Sequence, residues 1–229
     1  MKLVIDIETV AYDFNSLAPS QQEFILRYPG REPDEEIRKS KTDDAIRYLS
    51  LYPYTAKVIV IGMRNVESGK TLVLYESDTQ EDLIVEEKNT KYLGLSEPEM
   101  LQFFWDQSKK TEQIITFNGK NFDLPFLMIR SAVHQINPTR DFVKAAKFGK
   151  KSHIDLLDKL TFYGSIRKFN LDFYCHSFGI DSPKDKDITG MEVKELYSAG
   201  KTKDIAVYCA DDLRATAELF EIWDKFINI

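Results

Sequence analysis

The residues of this chain best suited to chemistry are four acids and a tyrosine, spread over three short segments. Asp6 and Glu8 stand in Val4-Ile5-Asp6-Ile7-Glu8-Thr9, near the first residue. Asp123 stands in Asn118-Gly119-Lys120-Asn121-Phe122-Asp123-Leu124-Pro125-Phe126-Leu127. Tyr208 and Asp212 stand in Tyr208-Cys209-Ala210-Asp211-Asp212. Carboxylates gathered from distant places are the ligands that magnesium takes, with water filling the rest of its shell. Sites of that kind act on phosphates.

Spacing says how these groups could meet. Side chains two apart on a strand point the same way, so Asp6 and Glu8 share a face, their Cα atoms roughly 6–7 Å apart. Leu3, Ile5 and Ile7 take the other face. Two acids in so apolar a strand are costly without cations. Asp123 falls in the first turn of a helix, where any acid is favoured by the helix dipole. On the last helix, Ile205, Cys209, Asp212, Thr216, Leu219, Trp223 and Phe226 follow alternating steps of four and three. That is one stripe, mostly apolar, which should face the core. Asp212 lies in it. Asp211 falls beside it with Asp204, Ala215 and Glu218, on a side expected to be solvated. Tyr208 is one turn before Asp212, so the two can project together.

These groups need a scaffold. Strands are predicted at Lys2–Ile7, Tyr54–Met63, Thr71–Tyr75, Gln113–Phe117 and Ser152–Asp155, five in all, the first and fourth largely apolar as central strands should be. Ser20 with Glu23 and Ser96 with Glu99 read as capping boxes that start helices. Asn121 is placed to cap a helix running to about Gln135, with Pro125 tolerated in its first turn. The last helix is predicted from Thr202 to Phe226. Residues 12–50 read as a charged helical insertion. The alternation of strands and helices predicts one α/β domain spanning residues 1–229.

Composition sets the bounds. With 43% hydrophobic and 30% charged residues, 229 residues can form one sizeable core. No apolar run approaches the roughly 20 residues of a membrane span. Without an export signal the expectation is a cytoplasmic protein, with Cys175 and Cys209 reduced. A net charge of −6 argues against a phosphate-binding surface. Four of those charges are the clustered acids, however, and bound cations would offset them. The stretch from Arg140 to Lys151 is basic and could meet phosphate or simply be a solvated face. His134, His153 and His176 read as ordinary polar residues.

Taken in order, the three segments resemble the motifs of the DEDDy 3′→5′ exonucleases. The proofreading domains of family-B DNA polymerases are one branch of these, and stand-alone bacterial nucleases another. Asp6-Ile7-Glu8-Thr9 is similar to the first motif. Asn118, Phe122 and Asp123 are similar to the second, and Tyr208 with Asp212 to the third. The run from Phe169 to Ile180, followed by Ser182-Pro183-Lys184 and Gly190-Met191-Glu192-Val193, resembles the stretch before the third motif.

The resemblance implies a ribonuclease-H-like fold: three layers, a mixed five-stranded sheet and helices on both faces. It implies metal-dependent hydrolysis at nucleic-acid 3′ ends, single-stranded or frayed, with DNA favoured. Two ions, Mg²⁺ or Mn²⁺, would be held by Asp6, Glu8, Asp123 and Asp212. Tyr208 would orient the attacking water, while Thr9, Asn118 and Phe122 would meet the terminal nucleotide. Lys184 could approach a phosphate. Protein partners are left open. Two alternatives stand beside this reading: a 3′→5′ exoribonuclease, and a nucleic-acid-binding module without catalysis.

Overall fold

The computed structural model describes residues 1–78, 89–142, 152–183 and 192–228. Its strands are β1 (Lys2–Ala11), β2 (Ala56–Asn65), β3 (Thr71–Glu76), β4 (Thr90–Leu95), β5 (Gln113–Thr116) and β6 (His153–Asp155). They form one six-stranded sheet in the order β4-β3-β2-β1-β5-β6. The β1–β2 and β2–β3 pairs are antiparallel, and the β3–β4, β1–β5 and β5–β6 pairs are parallel. The sheet is therefore mixed, as expected, but it has six strands rather than five. The additional strand is β4 on the edge, where only Tyr92 and Gly94 are buried.

The helices are α1 (Pro19–Leu26), α2 (Glu35–Arg47), α3 (Glu97–Ser108), α4 (Asp123–Val133), α5 (Leu156–Leu160), α6 (Leu171–Phe178), α7 (Glu192–Ser198) and α8 (Thr202–Phe226). Helix α8 crosses one face over β1, β2 and β3, while α3 and α4 cover the other. Two cores result. Val4, Val10, Val60, Val73 and Ile115 pack toward α8. Leu3, Ile5, Ile7, Ile61 and Met63 pack with Phe104, Trp105 and Leu127 of α3 and α4. The alternation along β1 serves both cores, which makes it a central strand.

Local chemistry explains most helix starts. Glu99 accepts from the Ser96 N–H at 2.9 Å and its hydroxyl at 2.6 Å, so the box at α3 forms as expected. The other expected caps are corrected. Helix α1 begins at Pro19, and Gln21 reaches back to the Ala18 N–H at 3.0 Å, so Ser20 is not the cap. Proline at a first helical position is the stronger local signal there. Helix α4 starts at Asp123 with Phe122 before it, and Asn121 turns back to the Asn118 side chain at 3.1 Å. The residue 12–50 insertion is helical, built from α1, α2 and short 3₁₀ turns, of which 48–51 contacts β1 and β2. Most of the basic stretch (Lys144, Lys147, Lys150 and Lys151), together with Lys184, lies outside the described residues. Among the described residues, no helix is long and apolar enough to cross a membrane.

Candidate active site

Asp6 and Glu8 leave β1 on the α8 face, between Val4 and Val10. The β1–β2 ladder changes register just after them. Glu8 lies opposite Val60 and Thr9 opposite Val58, so Ile59 is an extra residue on β2. This β-bulge puts Ile59 and Val60 both in the α8-side core, while Val58 returns to the other one. Bulges strengthen local twist and re-aim neighbouring side chains. The Val58 N–H beside the bulge donates to Glu97 at 2.9 Å. Burial pushes the Glu97 carboxyl up, but hydrogen bonds from Arg130, Val58 and His134 outweigh it and hold the carboxyl below its ordinary range. Arg130 grips Glu97 with Nε and Nη2, both at 2.8 Å. A buried ion pair on the far face thus braces the strand distortion next to Glu8.

Helix α8 brings the third motif. The expected stripe is buried at Ile205, Cys209, Thr216, Leu219 and Trp223. Its last member is not: Phe226, the last residue of α8, is 67% exposed. The neighbouring side is also less solvated than expected. Ala215 is fully buried, and Asp211 is half-buried beside Arg214 at 3.5 Å. Asp212 turns toward β1. One carboxylate oxygen from each of Asp6, Glu8 and Asp212 lies within 4.8 Å of the other two. Helix α8 can come this close because Gly62, opposite Asp6 on β2, has no side chain. A Cβ there would meet Leu213 Cδ1 at 2.6 Å and Cys209 Sγ at 2.7 Å. Cys209 is a buried core residue whose thiol lies 3.6 Å from Asp6 Oδ2. Tyr208 is hydrogen-bonded to Asp212.

The second motif is set by a loop. Asn118 adopts φ +65°, and Gly119 follows so tightly that a Cβ there would lie 2.5 Å from the Thr116 side chain. Asp155, at the end of β6, accepts from the N–H groups of Asn118 and Lys120, both at 2.9 Å. Thr116 bonds His153 at 2.9 Å and accepts from the Gly119 N–H at 3.2 Å. Burial pushes the His153 imidazole down to about 4, so it is neutral here. His134 and His176 instead face carboxylates, those of Glu97 and Asp172. Asp155, Thr116 and Gly62 are the structural partners that sequence reading missed. For Gly62 the signal was present: a lone glycine in a Val/Ile strand marks close approach of another backbone.

Asp123, only 3% exposed, accepts from its own N–H and that of Ile7. Burial nevertheless pushes it up to about 7, with the Asp155 charge adding to the rise. Asp6 and Glu8 are held well above the ordinary carboxylate range, first by burial, then by neighbouring charges: Asp123, Asp212 and Glu8 for Asp6, and Asp212 and Asp123 for Glu8. Burial and the charges of Asp212, Glu8 and Asp6 also raise the Tyr208 phenol. A cluster of oxygen donors that raises its own pKa values fits a hard divalent cation, which removes the repulsion. Among the other expected site residues, Phe122 packs against Phe126, with ring centroids 5.4 Å apart, and Asn118 stays half-exposed on the loop. The Thr9 hydroxyl is committed elsewhere, to the Ser50 carbonyl at 2.7 Å.

Residues 54–221 match the family described as "predicted 3′-5′ exonuclease related to the exonuclease domain of PolB". The chain is also similar to the family B DNA polymerase of the hyperthermophilic archaeon Pyrobaculum calidifontis, with a TM-score of 0.61 and 18% identity. That match covers 97% of this chain and 24% of the polymerase, so the chain spans about a quarter of its length. The likeness shows a shared ribonuclease-H-like fold. No curated protein matches the chain.

Proposed function

Because the chain belongs to the family of predicted 3′–5′ exonucleases related to the PolB exonuclease domain, we propose that it removes nucleoside 5′-monophosphates from DNA 3′ ends at the Asp6–Glu8–Asp212 cluster. The observation that carries the reading is the convergence of those three carboxylates within 4.8 Å, with Tyr208 bonded to one of them. Asp6, Glu8 and Asp212 would hold the divalent ions, with Asp123 supporting from the first turn of α4. When bound, two Mg²⁺ or Mn²⁺ ions supply Lewis acidity to the attacking and leaving oxygens.

In the reaction, a water oxygen bonds to the terminal phosphorus and the P–O3′ bond breaks. The water proton ends on the departing 3′ oxygen or in solvent. Tyr208 has a raised pKa and stays protonated at neutral pH. It therefore orients the water by hydrogen bonding rather than acting as a base. Phe122 and Asn118 flank Asp123 on the half-exposed loop, where they can meet the terminal base and sugar. Frayed or single-stranded 3′ ends fit, since the terminal nucleotide must leave its partner to reach half-buried carboxylates.

The test uses single-stranded DNA, duplex DNA and RNA, each 5′-labelled, with magnesium, manganese or chelator. A ladder shortening from the 3′ end, with monophosphate release that stops in chelator, is expected on DNA. Equal or greater activity on RNA would overturn the DNA preference. Binding without hydrolysis would leave a catalytically silent module.

A further inference from the structure

Residues 19–55 build a cleft that the catalytic reading does not use. Helices α1 and α2 bury no residue of their own. Between them and the start of β2 lies a space of about 650 Å³. Phe24, Tyr28, Tyr48, Tyr52 and Tyr54 line it, so four of the chain's 11 tyrosines gather here. All five rings are exposed, Tyr28 and Tyr54 at 67% each. Aromatic area of this size left in water marks an interaction surface.

The rim is cationic where it meets the rings. The Arg27 guanidinium lies 4.9 Å from the Phe24 ring centroid and 4.7 Å from that of Tyr28. It also donates to the Tyr28 hydroxyl at 2.9 Å. Arg47 lies 5.0 Å from the Tyr48 centroid and Arg31 lies 5.8 Å from that of Tyr28. The segment 19–55 as a whole is not basic, since its helix α2 carries acids as well. The positive charge is local to the rings. The guanidinium groups lie over these ring faces, and cationic and aromatic surface side by side suits flat, electron-rich bases on a phosphate backbone.

The cleft is also hydrogen-bonded to the strand of the candidate active site, through Thr9 on the face of β1 opposite Asp6 and Glu8. Its floor residue Thr55 accepts at its carbonyl from the Tyr12 N–H at 2.9 Å, and its hydroxyl donates to the Leu49 carbonyl at 2.8 Å. Ser50, next to Leu49, accepts from Thr9, the residue after Glu8. The cleft is thus fastened to the strand that carries two of the clustered acids, just beyond them.

We propose that this cleft is a stacking platform for unpaired bases of a single-stranded nucleic acid whose 3′ end lies in the Asp6–Glu8–Asp212 site. The inference rests on the exonuclease reading for its direction, but it makes its own claim about binding. The platform holds the strand a few nucleotides upstream and favours unpaired ends, because stacked duplex bases have no free faces to offer.

The test compares the wild-type chain with Tyr28→Ala/Tyr54→Ala and Tyr28→Phe/Tyr54→Phe. Both positions are exposed, so the fold should survive, and circular dichroism checks it. Binding is read in chelator by fluorescence anisotropy, with labelled oligo-dT and oligo-U 12-mers and a blunt duplex. Hydrolysis with magnesium is read on the 12-mers and on a trinucleotide too short to reach the cleft. The alanine pair should weaken 12-mer binding at least 10-fold and erase the preference for the 12-mer over the trinucleotide. The phenylalanine pair should behave as wild type. The DNA and RNA arms show which strand the platform prefers. Wild-type binding by the alanine pair, or equal loss on 12-mer and trinucleotide, would overturn the proposal. So would a wild-type dimer that the alanine pair makes monomeric, since a second copy would then fill the cleft. If the wild type binds through the tyrosines but hydrolyses nothing, the exonuclease reading fails and the platform stands.

Discussion

Gly62 sets how close α8 lies to the sheet, and adding one methyl group there should separate activity from stability. A Cβ at this position falls 2.6 Å from Leu213 Cδ1 and 2.7 Å from Cys209 Sγ. Ordinary carbon contacts lie at about 3.5–4.0 Å, so something must give by about 1 Å. Leu213 and Cys209 are both fully buried, and they flank Asp212 on the same helix. The strain therefore falls on the element that carries Asp212, at the point where it faces Asp6. Overpacking of this kind costs about 1–3 kcal/mol, and a misplacement of about 1 Å in a reacting constellation costs about 100-fold in rate.

Gly62→Ala should therefore fold, melt roughly 3–10 °C lower, and turn over about 100-fold more slowly. Steady-state hydrolysis of a labelled single-stranded oligonucleotide and a thermal melt, both at saturating magnesium, measure the two effects. Cys209→Ala in the same chain removes one of the two contacts and should restore part of the rate. A Gly62→Ala variant with lowered melting temperature but wild-type turnover would refute the reasoning. It would mean that the Leu213 side chain or the strand absorbs the methyl group and Asp212 stays in place.

The other expectations concern individual acids and the tyrosine. In chelator, Asp123→Asn should stabilise the protein at pH 8 and not at pH 4. The carboxyl is raised from 3.8 to about 7 in the fold, so its favourable contribution is complete below pH 3.8 and lost as pH rises through 7. At roughly 1.4 kcal/mol per pKa unit the gain at pH 8 is at most about 4 kcal/mol, and melting curves with no pH dependence in the difference would contradict it. Tyr208→Phe should lower turnover about 10- to 1000-fold with magnesium affinity nearly unchanged, as read by kinetics and calorimetry; loss of metal binding would assign Tyr208 another role. Asp212→Ala should abolish hydrolysis, while Asp211→Ala, which loses its contact with Arg214, should stay within a few-fold; the reverse pattern would mean that α8 is rotated from the register described.

What could be read in the sequence, and what could not, follows from how far apart the cooperating residues lie. Asp6 and Glu8 are placed together by the period of a single strand, and Asp212 by the period of a single helix. Both are local patterns, and both hold in the structure. The box of Ser96 and Glu99 is local in the same sense. Strand β4 was missed because Thr90-Lys91-Tyr92-Leu93-Gly94-Leu95 carries a lysine and a glycine and so weak a β pattern. Its place is fixed by pairing with β3, not by its own residues. Asp155 is a stronger case. It closes the short strand expected at Ser152–Asp155, but two of the N–H groups it holds belong to residues 35 and 37 positions earlier. Glu97 supports the bulge at Ile59 from 39 residues away, through a bond to Val58. Asp155 also caps the helix that follows it, accepting from the Leu157 N–H at 3.0 Å, which is a local pattern, but in each case the bond that orders the site comes from a backbone N–H that only the fold brings near. Gly62 lies between these cases. Its type announced a close approach, but the approaching helix lies some 150 residues later, and only the sheet register shows that the contact falls opposite Asp6.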